Sequence, residues 1–157
     1  MCGIFGVTEN NPKLVKGIID KCSHRGPDGS SIWSNDNLTL GHNLLSITSK
    51  PEDGSQPFVT NRGNILTYNG EVFNYNNLIK KFKGEFSAKT SCDTELLGWL
   101  LDNFSYKKVI CDLIDTMHAF VFFTDLFFKF FFIFSASIFL FMNIILIFIN
   151  KISIILN

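Results

Sequence analysis

The 157-residue chain carries 14 basic and 14 acidic residues, so its formal charge is zero and no basic field marks a nucleic-acid surface. Four cysteines, Cys2, Cys22, Cys92 and Cys111, are scattered without a CxxC pair, and polar residues from Thr8 to Asn11 interrupt any secretory-type apolar start. A reduced, cytoplasmic setting without disulfides is the expectation. In chain order, CGIFGV reads as a short strand, with Ile4, Phe5 and Val7 apolar between glycines that allow close backbone approach. NNPKLVKGIIDKCSH reads as a helix. Pro12 sits in its first turn, and Leu14, Val15, Ile18, Ile19 and Cys22 recur at helical spacing. RGPDGS is a turn-rich loop, followed by strands in SIWS and LTLGHNLLSI; KPEDGSQPF is a second loop with two prolines. NILTYNGEVFN predicts a strand entering a turn at Asn69-Gly70, and YNNLIKKF a helix. CDTELLGWLLDNF predicts another helix with Leu96, Leu97, Leu100 and Leu101 on its apolar side, and HAFVFFTD a strong strand. Strands grouped together with helices between them indicate an α+β layered domain.

Composition breaks near residue 125. Up to Asp125 the chain holds every acidic residue, glycine and proline, whereas residues 126–157 carry only Lys129 and Lys151 as charges and are 24 of 32 apolar. Two segments are expected, a domain over 1–125 and an apolar tail over 126–157. The stretch FFFIFSASIFLFMNIILIFI, residues 130–149, is 20 residues without a charge, long enough to span a bilayer as a helix with the two lysines as snorkelling ends. Membrane association follows only if this tail is genuine. The other readings are a truncation or frameshift product of an AT-rich gene and an alternative core strand.

Chemistry is concentrated near the start. Removal of Met1 would leave Cys2 with a thiol and a free α-amine, whose ordinary pKa of about 7.7–8.0 suits it to take the thiol proton. That combination is a nucleophile with its own base. A cysteine near a terminus is otherwise most often a small buried hydrophobe. Candidate metal ligands are Cys22, His24, His42, Cys92, Cys111 and His118, but none shows the paired spacing of structural zinc. No metal is expected. Cys22 and Cys111 read as core residues and the three histidines as hydrogen-bonded structural ones.

Six motifs occur in a characteristic order: MCGIFGV, HRGPDG (24–29), LGHNLLSI (40–47), QPF (56–58), YNGEVFNY (68–75) and SCDTELL (91–97). In these the chain resembles the N-terminal glutaminase domain of class II glutamine amidotransferases, nearest to the asparagine synthetase branch, over about residues 2–125. The resemblance implies an αββα sandwich of the N-terminal-nucleophile hydrolase type, incomplete at the C-terminal end. It implies Cys2 as the nucleophile on the glutamine side-chain amide, and the Asn69 amide with the Gly70 N–H as the oxyanion hole. Asp93 would receive the α-ammonium, and Glu71 would lie beside the glutamine. Arg25 matches an arginine near the active-site mouth. Plainer readings are that Asn69-Gly70 is a turn, Asp93 a helix-start acid, and Glu71 and Arg25 loop charges.

The family reads H-x-R-L-S-I where this chain has His42-Asn43-Leu44-Leu45-Ser46-Ile47, so Leu44 replaces the arginine that would grip the glutamine α-carboxylate. Asn43, Lys50 and Arg62 are the possible substitutes. The resemblance further implies no cofactor in this chain, since ATP and magnesium would belong to a synthetase domain whose SGGxDS-like loop is not found here. The second strand and RDxxGxxPLY-like segment that end the family's domain are also not recognisable in the sequence.

Overall fold

The computed structural model describes residues 2–47, 50–124 and 129–134, the last two strands as backbone. The architecture is α+β, with two antiparallel sheets. Strand β1 (Gly3–Val7) is followed by helix α1 (Pro12–Lys21), then by β2 (Gly29–Ser34) and β3 (Thr39–Leu44). These strands form a sheet in the order β1-β3-β2, with Gly3 opposite Asn43 and Gly29 opposite Leu44. The second sheet has the order β4-β5-β6-β7, from β4 (Phe58–Val59), β5 (Ile65–Val72), β6 (Thr116–Thr124) and β7 (Lys129–Phe134). Helices α2 (Tyr75–Lys81) and α3 (Asp93–Asn103) lie between β5 and β6 in sequence.

Local sequence accounts for most of these elements. Asn11 caps α1, its side-chain oxygen accepting the Leu14 N–H at 3.0 Å, and Pro12 opens the helix where a missing N–H has no cost. The apolar stripe of α1 then buries Val15 and Ile19 against Phe5 and Val7 of β1. Gly41 of β3 lies beneath the same helix, where an added Cβ would meet Val15 at 2.5 Å and Ile19 at 2.7 Å. On the other sheet, Leu66, Tyr68 and Val72 alternate along β5 and pack against Leu96, Leu97 and Leu100 of α3. The remaining faces of the two sheets meet, since β5 packs on both β1 and β3. The core is therefore in two parts, one under α1 and one under α2 and α3.

Three expectations are corrected. Asn69 and Gly70 do not form a turn: β5 runs on through Val72, paired with β6 from Ile65 opposite Phe123 to Val72 opposite Thr116. Long-range pairing overrides the local preference of Asn-Gly, and the chain turns only after Val72. Second, residues 129–134 form a strand, β7, running antiparallel along β6 with Ala119 opposite Phe134. A strand is among the readings of the tail given above, and a Phe- and Ile-rich composition suits a pleated partner. No helix among the described residues is long and apolar enough to cross a membrane. The rest of the tail lies outside the described residues. Third, Cys111 is exposed, because the helical turn Val109–Leu113 buries Val109 and Leu113 instead.

Candidate active site

Cys2 lies immediately before β1 and is half-buried. Strand alternation sends Phe5 and Val7 toward α1, so Cys2 and Ile4 share the face turned to the second sheet. Its Sγ meets the main chain just past β3: the Leu45 N–H donates to the sulfur at 3.3 Å, and the thiol points to the Leu45 carbonyl at 3.6 Å. Burial pushes the thiol pKa above its ordinary value. The Leu45 hydrogen bond, the positive N-terminus and Arg25 act in the opposite direction. Burial thus favours the protonated thiol.

The HRGPDG loop is what brings Arg25 there. Gly26 lies so close to β3 that a Cβ would come within 2.5 Å of main-chain atoms of Asn43 and Leu44. Asp28 fastens the loop, its N–H donating to the Leu44 carbonyl at 3.0 Å and its carboxylate accepting the Ser46 N–H at 2.8 Å. Arg25 Nη2 then donates to the Cys2 carbonyl at 3.3 Å. Read as a loop arginine in the sequence, it is joined in the structure to the Cys2 main chain.

The edge of β5 supplies the second half. Strand β4 is two residues long and pairs only with Ile65 and Leu66, so beyond Leu66 that edge is uncovered. The Tyr68 N–H is taken by Gln56 Oε1 at 2.5 Å and the Val72 N–H by the Asp93 carboxylate at 2.8 Å. Because N–H directions alternate along an antiparallel strand, the Gly70 N–H faces the same edge between these two bonds. Gly70 is exposed there, and Asn69 beside it is buried on the face toward the first sheet.

Asp93 begins α3, where an unpaired set of N–H groups favours negative charge. Burial pushes its carboxyl above the usual carboxylate range, with the Glu71 charge adding to the effect and the Val72 hydrogen bond opposing it. Glu71, on β5, is exposed beside it. Neighbouring contacts hold the approach to α3: Ser91 donates its hydroxyl to Asp53 at 2.8 Å, and Glu95 accepts the Thr90 N–H and hydroxyl, each at 2.9 Å. The helix-start reading of Asp93 fits its place as the first residue of α3.

The arginine expected at position 44 has no substitute from two of its candidates. Leu44 is buried at the end of β3, and the Asn43 amide is committed to the carbonyls of Ile19 and Cys22 at 3.0 and 2.9 Å. Arg62 reaches Asn103 at 3.1 Å instead. Lys50 is exposed at the start of the next turn. Among the histidines, His24 is exposed, while His42 is buried between the sheets and held neutral, its pKa lowered to about 4 by burial. The side chain of His118 lies outside the described residues. Among the described residues, no group of three His, Cys, Asp or Glu side chains is placed to hold a metal ion. A cleft of about 370 Å³ beside β4, lined by Phe58, Phe86, Trp99 and Lys89 among others, includes none of the candidate site residues.

Sequence reasoning treated QPF only as a motif and missed what Gln56 does. A lone glutamine in a loop carries no periodicity or spacing that would have flagged it.

Comparison with known proteins gives the same direction. The family model described as a glutamine amidotransferase domain matches residues 1–131. The chain is 32% identical over 122 residues to the probable glutamine-hydrolysing asparagine synthetase of Acanthamoeba polyphaga mimivirus, covering 72% of this chain and 22% of that protein. It is 30% identical over 128 residues to glutamine-hydrolysing asparagine synthetase 1 of Arabidopsis thaliana, covering 77% and 21%. With the glutamine-hydrolysing asparagine synthetase B of Escherichia coli it shares 32% identity over 104 residues, covering 62% and 19%. The chain thus matches about a fifth of the length of these curated relatives. With the family match reaching from residue 1 to residue 131, the chain belongs to the glutamine amidotransferase domain family.

Proposed function

We propose that the chain is the ammonia-releasing part of a glutamine-dependent asparagine synthetase, with the αββα sandwich of an N-terminal-nucleophile hydrolase. The observation that carries this reading is the packing of β1, which Cys2 immediately precedes, on β5. Cys2 lies at the start of β1 against Leu45, and β1 packs on β5, whose Gly70 N–H faces outward between the bonds to Gln56 and Asp93. A thiol nucleophile, an outward N–H and a carboxylate are what hydrolysis of an amino-acid amide requires.

In this mechanism the α-amine of Cys2, freed of Met1, takes the thiol proton, directly or through a water. The sulfur then bonds to the glutamine side-chain carbonyl carbon, and the negative oxygen is held by the Gly70 N–H and the Asn69 amide. Transfer of the proton to nitrogen breaks the C–N bond and releases ammonia, leaving a γ-glutamyl thioester. Water then cleaves the C–S bond, giving glutamate and restoring the thiol. Asp93 holds the substrate α-ammonium, Glu71 lies beside it, and Arg25 positions the Cys2 main chain. The ammonia would pass to an activated aspartate in a synthetase domain, where ATP and magnesium would act, in a cytoplasmic enzyme. In this reading residues 1–125 form the domain and residues 126–157 a tail, of which Lys129–Phe134 pair with β6 as β7.

The test is direct. The purified chain without Met1 releases glutamate from glutamine, and Cys2→Ala abolishes the release; turnover persisting in the variant sinks the nucleophile assignment. A second reading, a non-catalytic relative, is favoured by buried Leu44 with Asn43 and Arg62 both engaged elsewhere. Calorimetry separates the two, because heat of binding with glutamine argues against the inactive form.

A further inference from the structure

We propose that Gln56 is a positioning residue that determines which N–H of β5 is left open at the site. The inference rests on the glutaminase reading. Gln56 is only 4% exposed and joins three elements. Its Oε1 accepts the Tyr68 N–H of β5 at 2.5 Å, its Nε2 donates to Thr94 Oγ1 of α3 at 3.2 Å, and its carbonyl accepts the Ser31 hydroxyl of β2.

The need for such a residue follows from the shortness of β4. Pairing along that edge ends at Leu66, so the next donor on it, the buried Tyr68 N–H, takes its acceptor from outside β4. Gln56 supplies the acceptor that a longer strand would have supplied. Along the edge, Leu66 then faces β4, Tyr68 is bound by Gln56, and Val72 is bound by Asp93. Among the described residues of this edge, the Gly70 N–H between them is the one directed outward. The same side chain reaches Thr94, the residue after Asp93, and so fixes the start of α3 relative to that edge. Gln56 acts through Tyr68 and Thr94.

The experiment compares Gln56→Met and Gln56→Glu in the full chain freed of Met1. Methionine fills the space but accepts no strong hydrogen bond, whereas glutamate keeps an acceptor for the Tyr68 N–H. Loss of edge geometry by Gln56→Met is expected to lower kcat on glutamine about tenfold to a hundredfold, a smaller loss than removing a hole donor outright, and loss of the Thr94 bond to raise KM several-fold. Gln56→Glu is expected to retain most of kcat. A space-filling role predicts the reverse order, because methionine would be tolerated and a buried carboxylate would not. That reverse order, or equal kcat in all three proteins, overturns the proposal. Amide exchange gives a second readout: Tyr68 loses protection in Gln56→Met and keeps it in Gln56→Glu. If Gln56→Met does not fold, Thr94→Val replaces it and is expected to raise KM for glutamine several-fold; an unchanged KM overturns the link to α3. Wild-type protein that releases no glutamate sinks the glutaminase reading instead. In that case a rapidly exchanging Tyr68 amide overturns the positioning role as well, and a protected one beside a rapidly exchanging Gly70 supports it.

Discussion

The Asp93 carboxylate, at the first residue of α3, accepts the N–H of Val72, the last residue of β5, at 2.8 Å. One oxygen thus anchors the helix to the strand edge while the group's charge faces the proposed glutamine site. Asparagine at this position would keep a carbonyl acceptor for Val72 and remove the charge. Asp93→Asn is therefore expected to raise KM for glutamine about tenfold to a hundredfold, the equivalent of about 1.5–3 kcal/mol for a charged hydrogen bond, with kcat less affected. Steady-state kinetics on glutamine check this.

The Asp93 carboxyl also titrates above the usual carboxylate range, because burial and the Glu71 charge both disfavour its ionised form. Binding of the α-ammonium needs that ionised form. As pH falls, affinity is lost through the raised folded-state pKa, earlier than for an exposed aspartate. The acid limb of glutamine affinity, read by calorimetry, should therefore sit above the ordinary carboxylate value. Glu71→Gln should move that limb down, because it removes one of the raising charges.

Arg25 lowers the pKa of a Cys2 thiol that burial has raised. Arg25→Met should push the thiol pKa further up. The rate of Cys2 alkylation by iodoacetamide at neutral pH should fall in proportion to the thiolate fraction, with its midpoint shifted to higher pH. Alkylation followed from pH 6 to 10 by mass spectrometry reads both. An unmoved midpoint would show that Arg25 acts only on the Cys2 carbonyl.

Gly26 leaves no room for a side chain, since the atoms an added Cβ would meet at 2.5 Å belong to the main chain of β3. Gly26→Ala should destabilise the fold by about 1–3 kcal/mol, the usual cost of forced overpacking. Chemical denaturation measures the loss. At Gly17, where nothing lies within 4 Å of an added Cβ, alanine should be neutral or stabilising.

His42 makes stability depend on pH. Its folded-state pKa of about 4 lies below the ordinary value of 6.5, so between these limits the unfolded chain binds a proton that the folded chain does not. Stability from this group is fully present above about pH 6.5 and falls as pH drops toward 4, by on the order of 3 kcal/mol across the window. Urea midpoints at pH 7 and pH 4.5 should differ less in His42→Gln than in the parent chain.

Much of this protein is legible in the sequence because its regular elements repeat over short distances. The stripe of Val15 and Ile19 specifies α1, apolar Ile4, Phe5 and Val7 among glycines mark β1, and the leucines of α3 mark the face laid on β5. The motifs bearing Cys2, Asn69, Gly70 and Asp93 were also readable in order, since each is a local string. What could not be read is which strings meet. Asn69-Gly70 has the composition of a turn, and only its ladder with β6 keeps it extended. Gln56 gains a role because β4 begins only at Phe58, and Asn43 is spent on the end of α1 rather than on a ligand. Arg25 reaches Cys2 only because Gly26 lets the loop lie on β3. The sequence by itself determined the elements and the reactive residue types, whose signals are carried by neighbours along the chain. Tertiary structure alone decided the open edge of β5, because every bond that defines it joins residues brought together by sheet register and helix packing.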